Sequence, residues 1–218
     1  MGLDFSVLTP FIPALVEGAW MTIQISFLSL VIGLVLAILG AFSKLSPIFI
    51  LRKITEFYVW VFRGTPLLVQ LFIIYFGIPQ LGVQFTPFQA AVLGLSLNTG
   101  AYATEIVRSA LQAVDKGQYE AAAALGMSKP LAMYRIIGPQ ALKILVPAMV
   151  NQFVMTVKNS SMVSLLTITE LFRTGESIIT STFHSLEVYL IIAAIYLVIT
   201  SVLMFIASRL EKGMRVYD

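Results

Sequence analysis

The stretch EAAAALGMSKPLAMYRIIGP, Glu120 to Pro139, decides how this chain is read. Its alanine run and Leu125 are strong helix formers. Gly126 stops that helix, because glycine adopts the left-handed C′ conformation at little cost. Ser128 can cap a second helix whose first turn tolerates Pro130, and Pro139 interrupts backbone hydrogen bonding before the next apolar run. Upstream, Asp115 and Gln118 have the spacing of a capping box, so the first helix starts near Lys116. The product is a helix–glycine–helix elbow inside a basic connection, residues 113–144. Taken alone, it is a compact amphipathic connector.

On either side of the elbow the chain is made for lipid. Of 218 residues, 58% are hydrophobic and 11% charged, and the mean hydropathy is +0.91. Soluble domains carry about 25% charged residues, so a soluble enzyme, a disordered tail and a nucleic-acid-binding domain are excluded as readings. The absence of Cys removes disulfides, thiolate metal sites and Cys nucleophiles, and a single His removes a poly-His metal centre. A bilayer crossing needs about 20 mostly apolar residues. Gly18–Ser43 has no charge and fits one tilted span. Gly64–Thr104 is 41 uncharged residues, too long for one helix, and is broken by GIPQLGVQFTP (Gly77–Pro87). It yields one span around Pro66–Ile78 with its flanks and another over Pro87–Gln112. Leu145–Thr167, with the single charge Lys158, and Val188–Ser208, with none, complete five. Residues 1–17 lack a basic n-region and are not read as a secretory signal.

Orientation follows from Lys and Arg. Lys44, Arg52, Lys53 and Arg63 lie in one connection, Lys116, Lys129, Arg135 and Lys143 in the elbow connection, and Arg209, Lys212 and Arg215 at the C-terminus. The alternate connections hold only Arg173. The expectation is an all-α membrane protein of five transmembrane helices, N-terminus outside and C-terminus cytoplasmic. Residues 1–17 are extracytoplasmic, 18–212 form the membrane domain and 213–218 a cytoplasmic tail. Residues 47–62, with Phe57, Tyr58 and Trp60 among Arg52, Lys53 and Glu56, suit an interfacial helix. Arg63, Gly64, Thr65 and Pro66 then form a helix break, with Thr65 as N-cap and Pro66 at the first helical position. That break is either a plain span start or a discontinuity beside a substrate path.

Ionisable and polar groups within spans face protein or water. Asn98, Tyr102 and Glu105 share one helical face, and Arg108 can pair with Glu105. Asn98 and Tyr102 either line a cavity or bond neighbouring helices. Lys158, Asn159, Ser160 and Ser161 read as a polar belt at mid-span that meets either a substrate or a partner subunit. Gln70 and Tyr75 either line the path or pack. Outside, Glu170, Arg173 and Glu176 recur every three residues as a charged face.

The elbow resembles the EAA loop of ATP-binding-cassette importer permeases. Glu120, Ala121 and Ala122 open the pattern, Gly126 follows after three residues, Ile136 after nine more, and Pro139 closes it. Gly138 stands where the family usually has Leu. FRGTPLLVQLFIIYFG (62–77), LSLNTGAYATEIVRSALQAVDKGQYEAAAALGM (95–127) and TVKNSSMVSLLTITELFR (156–173) are similar to the polar amino-acid branch.

The resemblance, over roughly residues 10–215, implies a type I importer fold and a subunit of the bacterial inner membrane. Glu120, Ala121, Ala122, Gly126, Ile136 and Pro139 would then couple to a cytoplasmic ATPase. It also implies two ATP-binding subunits, a second permease copy, identical or homologous, and an extracytoplasmic amino-acid-binding protein docking on Glu170, Arg173 and Glu176. No phosphate-loop string occurs, so ATP and Mg would be bound by the partner ATPase and this chain is not an enzyme. Related permeases often have an acid after Lys158. Asn159 here favours a neutral polar substrate, glutamine or cystine, over arginine, histidine or another basic amino acid. The rival reading is a gradient-driven secondary transporter or channel. No inverted repeat supports it.

Overall fold

The computed structural model describes residues 3–215, with side chains described as far as Arg209. The side chains of Lys212 and Arg215, and residues 216–218 of the expected tail, lie outside that description. All the regular structure among the described residues is helical. A 3-10 turn, Phe5–Phe11, leads into α1 (Ile12–Leu45), followed by α2 (Phe49–Gly64) and α3 (Leu67–Phe72). A π turn and a 3-10 turn carry α3 on to Leu81. Next come α4 (Pro87–Gln112), α5 (Lys116–Ala124) and α6 (Lys129–Ala132). The last three are α7 (Gly138–Asn159), α8 (Leu171–Thr182) and α9 (Ser185–Arg215).

Among the described residues, three helical stretches are long and apolar enough to cross a bilayer: Phe5–Leu45, Lys129–Leu166 and Ser185–Arg209. A fourth candidate is α2 with the helix after it, bent by 109° at the Thr65–Pro66 break. The span expected over Pro87–Gln112 is α4, whose bounds coincide with the reading because Thr86 and Gln89 form a reciprocal capping box and Pro87 opens the helix. At 26 residues α4 can cross, at about 1.5 Å per residue. It is more polar because neighbouring helices shield it: Ser96, Asn98, Thr99 and Thr104 are all buried.

That shielding rests on small residues. Gly18, Thr22, Ser26, Ser29, Gly33, Ala37 and Gly40 form a buried stripe along α1 at three- and four-residue spacing. Small stripes let helix backbones approach closely in lipid, where apolar burial alone does not drive association. A Cβ on Gly33 would come within 3.0 Å of Thr99 on α4, and one on Gly100 within 2.9 Å of Leu36 on α1. Gly100→Val is therefore expected to destabilise the chain by about 1–3 kcal/mol, as overpacked cores do. A lowered thermal midpoint in detergent checks this, with Gly77→Ala, at an uncrowded site, left unchanged.

The segment expected to be helical over residues 47–62 forms α2. Val59 and Thr55 are buried, and Ile54, Phe57 and Trp60 are exposed on the other side. Tyr58 donates to Leu97 O at 2.6 Å and ties α2 to α4. The N-terminal segment packs onto α8 and α9: Leu8 and Leu15 join Leu171, Ile178, Val188 and Ile192 in one cluster. Asp4 N–H donates to Glu187, which also meets His184 Nδ1 at 3.3 Å.

Candidate functional site

The elbow is built as its glycine demands. Gly126 has φ +70. Met127 N–H donates to Ala122 O and Gly126 N–H to Ala123 O, each at 3.0 Å, which is the Schellman closure of α5. Asp115 caps α5 by accepting from Gly117 N at 2.7 Å, but the capping box is not formed: Gln118 N–H goes to the Asp115 backbone carbonyl, and the Gln118 side chain accepts from Gln140. Ser128 makes no side-chain cap bond. Pro139 does not separate a second elbow helix from the next span. α6 runs through a π turn, Met133–Ile137, into α7, with Gly138 N–H closing on Met133 O. A Cβ at 138 would stand 2.5 Å from that carbonyl oxygen, which gives the departure from Leu a local reason. Tyr119 donates to Leu111 O at 2.8 Å, and burial raises its pKa, so it stays a protonated donor that fixes α5 to the end of α4.

Among the coupling residues, Glu120, Ala121, Gly126 and Pro139 are exposed, whereas Ala122 is 1% exposed. Ala122 is internal packing, so of the two small residues expected to permit close approach only Ala121 is exposed. Ile136 leans on the core cluster of Ile137, Ala141 and Val107.

The four residues of the expected polar belt do not share a face. Successive residues on an α-helix are turned by about 100°, and Lys158 and Asn159 open onto different spaces. Lys158 and Ser161 line a groove of about 560 Å³ with Phe172, Tyr189, Tyr196 and Thr200. Asn159 lines a separate cleft of about 490 Å³ with Thr65, Pro66, Asn98, Tyr102, Gln152 and Met155. Ser160 is buried and bonds Val157 O. Gln152 and Met155 of α7, and Met162 just beyond it, line the cleft and were not singled out in the sequence, since spacing alone does not say which face of α7 meets the α2–α3 break.

Gln70 is held by the α2–α3 break. It is 6% exposed, and Nε2 donates to Phe62 O (2.9 Å), Thr65 O (3.1 Å) and Thr65 Oγ1 (2.9 Å). Thr65 therefore does not cap the next helix. Pro66 occupies that position, and α3 starts at Leu67. Arg63 lies over the Tyr102 ring, 5.3 Å from its centroid. Gly64 sits in open space, with nothing near an added Cβ. Glu105 pairs with Arg108, as its spacing suggested, and also with Lys44 from the end of α1.

The charged outer face is not one face either. Arg173 and Glu176 form an exposed pair at 3.6 Å. Glu170 is 0% exposed: it caps α8 by accepting from Arg173 N (2.8 Å) and also accepts from Thr22 on α1 (3.2 Å) and Tyr196 on α9 (3.0 Å). It is a junction of three helices, withdrawn from any docking partner. Its sequence signal was the i, i+3 spacing to Arg173, which fits an N-cap as well as a charged face. No cluster of metal-ligating side chains is present among the described residues.

Residues 29–216 match the family of binding-protein-dependent transport system inner membrane components. The chain belongs to that family. As a binding-protein-dependent permease it is 41% identical to the arginine transport system permease protein ArtQ of Bacillus subtilis (strain 168), over the full length of both chains. It is 39% identical to the glutamine transport system permease protein GlnP of Escherichia coli (strain K12), covering 99% of this chain and 100% of that one. An amino acid ABC transporter crystallised with histidines superimposes with a TM-score of 0.92 at 39% identity, over 98% of this chain and 100% of that one. The inward-facing MetNI methionine transporter shares the fold, with a TM-score of 0.80 at 22% identity over 94% and 98%. The permease is thus an all-helical membrane protein with the type I importer fold, and is a transport subunit of an ABC system.

Proposed function

We propose that this permease imports a neutral polar L-amino acid, with glutamine the leading candidate. Two copies would form a ten-span pathway, each chain crossing five times with its N-terminus outside. α4 supplies the third crossing, shielded from lipid by its neighbours. The exposed side of the Glu120–Pro139 elbow docks on one of two cytoplasmic ATP-binding subunits, which bind ATP and Mg. The outer surface around Arg173 and Glu176 receives an amino-acid-binding protein.

The observation that carries the substrate reading is the cleft at the α2–α3 break. Its volume lies within the ~300–1,000 Å³ of small-molecule sites, and its polar lining is Thr65, Asn98, Tyr102, Gln152 and Asn159, with no carboxylate. The relatives named for arginine and for glutamine are nearly equal in identity, so cleft chemistry is the better guide. Reconstitution with the ATPase and the binding protein tests the proposal. L-Glutamine is expected to stimulate ATP hydrolysis and uptake more than L-arginine or L-histidine. Uptake by the permease alone on an ion gradient would overturn it.

Asn159→Asp places a fixed negative charge in the cleft. It is expected to shift uptake toward L-arginine by about tenfold relative to L-glutamine, the equivalent of ~1.4 kcal/mol. An unchanged substrate profile would count against Asn159 as a contact.

A further inference from the structure

The cleft has one polar atom whose direction the fold prescribes. Gln70 Nε2 is met by three acceptors, Phe62 O, Thr65 O and Thr65 Oγ1, at 2.9, 3.1 and 2.9 Å. Reversing the amide would set Oε1 against two carbonyl oxygens, neither of which can donate, so only one orientation satisfies the network. Oε1 then faces α4 and accepts from Asn98 Nδ2 at 3.0 Å. Asn98 Nδ2 also donates to Phe62 O at 3.3 Å. With both partners of Nδ2 being acceptors, Asn98 is oriented in turn. Thr65 Oγ1 is spent as well, since it donates to Val61 O at 2.8 Å while accepting from Gln70. What remains on this wall is Asn98 Oδ1, an acceptor with no protein donor among the described residues, on a residue that lines the cleft.

We infer that Asn98 Oδ1 is a fixed acceptor for an N–H group at the side-chain end of the transported amino acid, and that Gln70 is the positioning residue that sets its polarity. The inference rests on the reading of this cleft as the amino-acid site and adds a selection rule to it. A carboxamide or an ammonium is received there. A carboxylate brings oxygen against oxygen and is refused, because a buried acceptor left without a donor is costly. The wall thereby separates glutamine from glutamate, two side chains of nearly the same shape.

The experiment measures direct binding to the purified permease–ATPase complex, without the binding protein, by equilibrium dialysis of radiolabelled L-glutamine, L-glutamate and L-arginine. The wild-type complex is expected to prefer glutamine to glutamate by at least about tenfold. Gln70→Met keeps the packing volume and leaves the Asn98 amide held only by its long 3.3 Å bond to Phe62 O, so its orientation loosens and the glutamine-to-glutamate ratio should fall at least threefold. A purely structural role for Gln70 would weaken both solutes together and leave the ratio unmoved, which would overturn the inference. Asn98→Asp presents acceptors only and gives a second reading should Gln70→Met fail to assemble. It should raise the arginine-to-glutamate ratio above the wild-type value, and an equal or lower ratio would also overturn the inference. Binding of none of the three solutes by the wild-type complex would remove the amino-acid reading of the cleft itself. An unmoved ratio alongside normal glutamine binding would remove only the polarity relay.

Discussion

Gly126→Pro is expected to reduce ATP-driven uptake to below about a twentieth of wild type while leaving the chain inserted in the membrane. The residue sits at φ +70, and proline is confined near −65°. Proline also lacks the N–H that Gly126 donates to Ala123 O, so both the turn and its closing bond are lost. A penalty of ~3 kcal/mol or more for proline in the wrong place corresponds to over a hundredfold loss of the native elbow population. The spans are separate from this turn, so membrane insertion should persist. Uptake and ATPase rates in vesicles, with membrane content quantified by immunoblot, provide the check. Gly126→Asn should retain most activity, because asparagine visits the left-handed region more readily than other non-glycine residues. Wild-type uptake in the proline variant would end the proposal that this elbow transmits the ATPase stroke.

Glu170→Ala should be the most destabilising single change where α1, α8 and α9 meet, by about 3–5 kcal/mol. It removes an N-cap, worth ~1 kcal/mol, and takes the acceptor from the buried Thr22 hydroxyl and the half-buried Tyr196 hydroxyl, at ~1–3 kcal/mol each. α1, α8 and α9 would lose their common junction. Glu170→Gln keeps one acceptor for the cap, and the two hydroxyls can rotate to accept from its amide, so the loss should be within ~1 kcal/mol. Thermal midpoints from fluorescence-detected size exclusion separate the variants. An alanine variant as stable as wild type would contradict the junction and return Glu170 to the exposed face that its spacing suggested.

The positions of the apolar runs, the Thr86–Pro87 start of α4 and the glycine stop at 126 were legible in the sequence. Each depends on a residue's own chemistry: hydropathy, side-chain capping, or tolerance of positive φ. The Glu105–Arg108 pair was legible for the same reason, since three residues along a helix are neighbours whatever surrounds them. The α6–α7 junction was misread because Pro139 in a first turn has no missing bond to show, and the irregularity falls instead at the π turn ending at Gly138.

Local chemistry alone marks this chain as a helical membrane protein carrying a glycine elbow, and the resemblance of its motifs adds the permease reading. Composition and local backbone preference operate without knowledge of the fold. What only the tertiary structure decided is the address of each polar side chain. Lys158 and Asn159 are adjacent in sequence yet open onto different spaces, Glu170 is enclosed where its i+3 and i+6 partners are exposed, and Gln70 turns from a presumed lining group into the brace of Asn98. The physical reason is that a helix turns by about 100° at each residue, and the helix that each direction meets is set by packing between segments far apart in the chain.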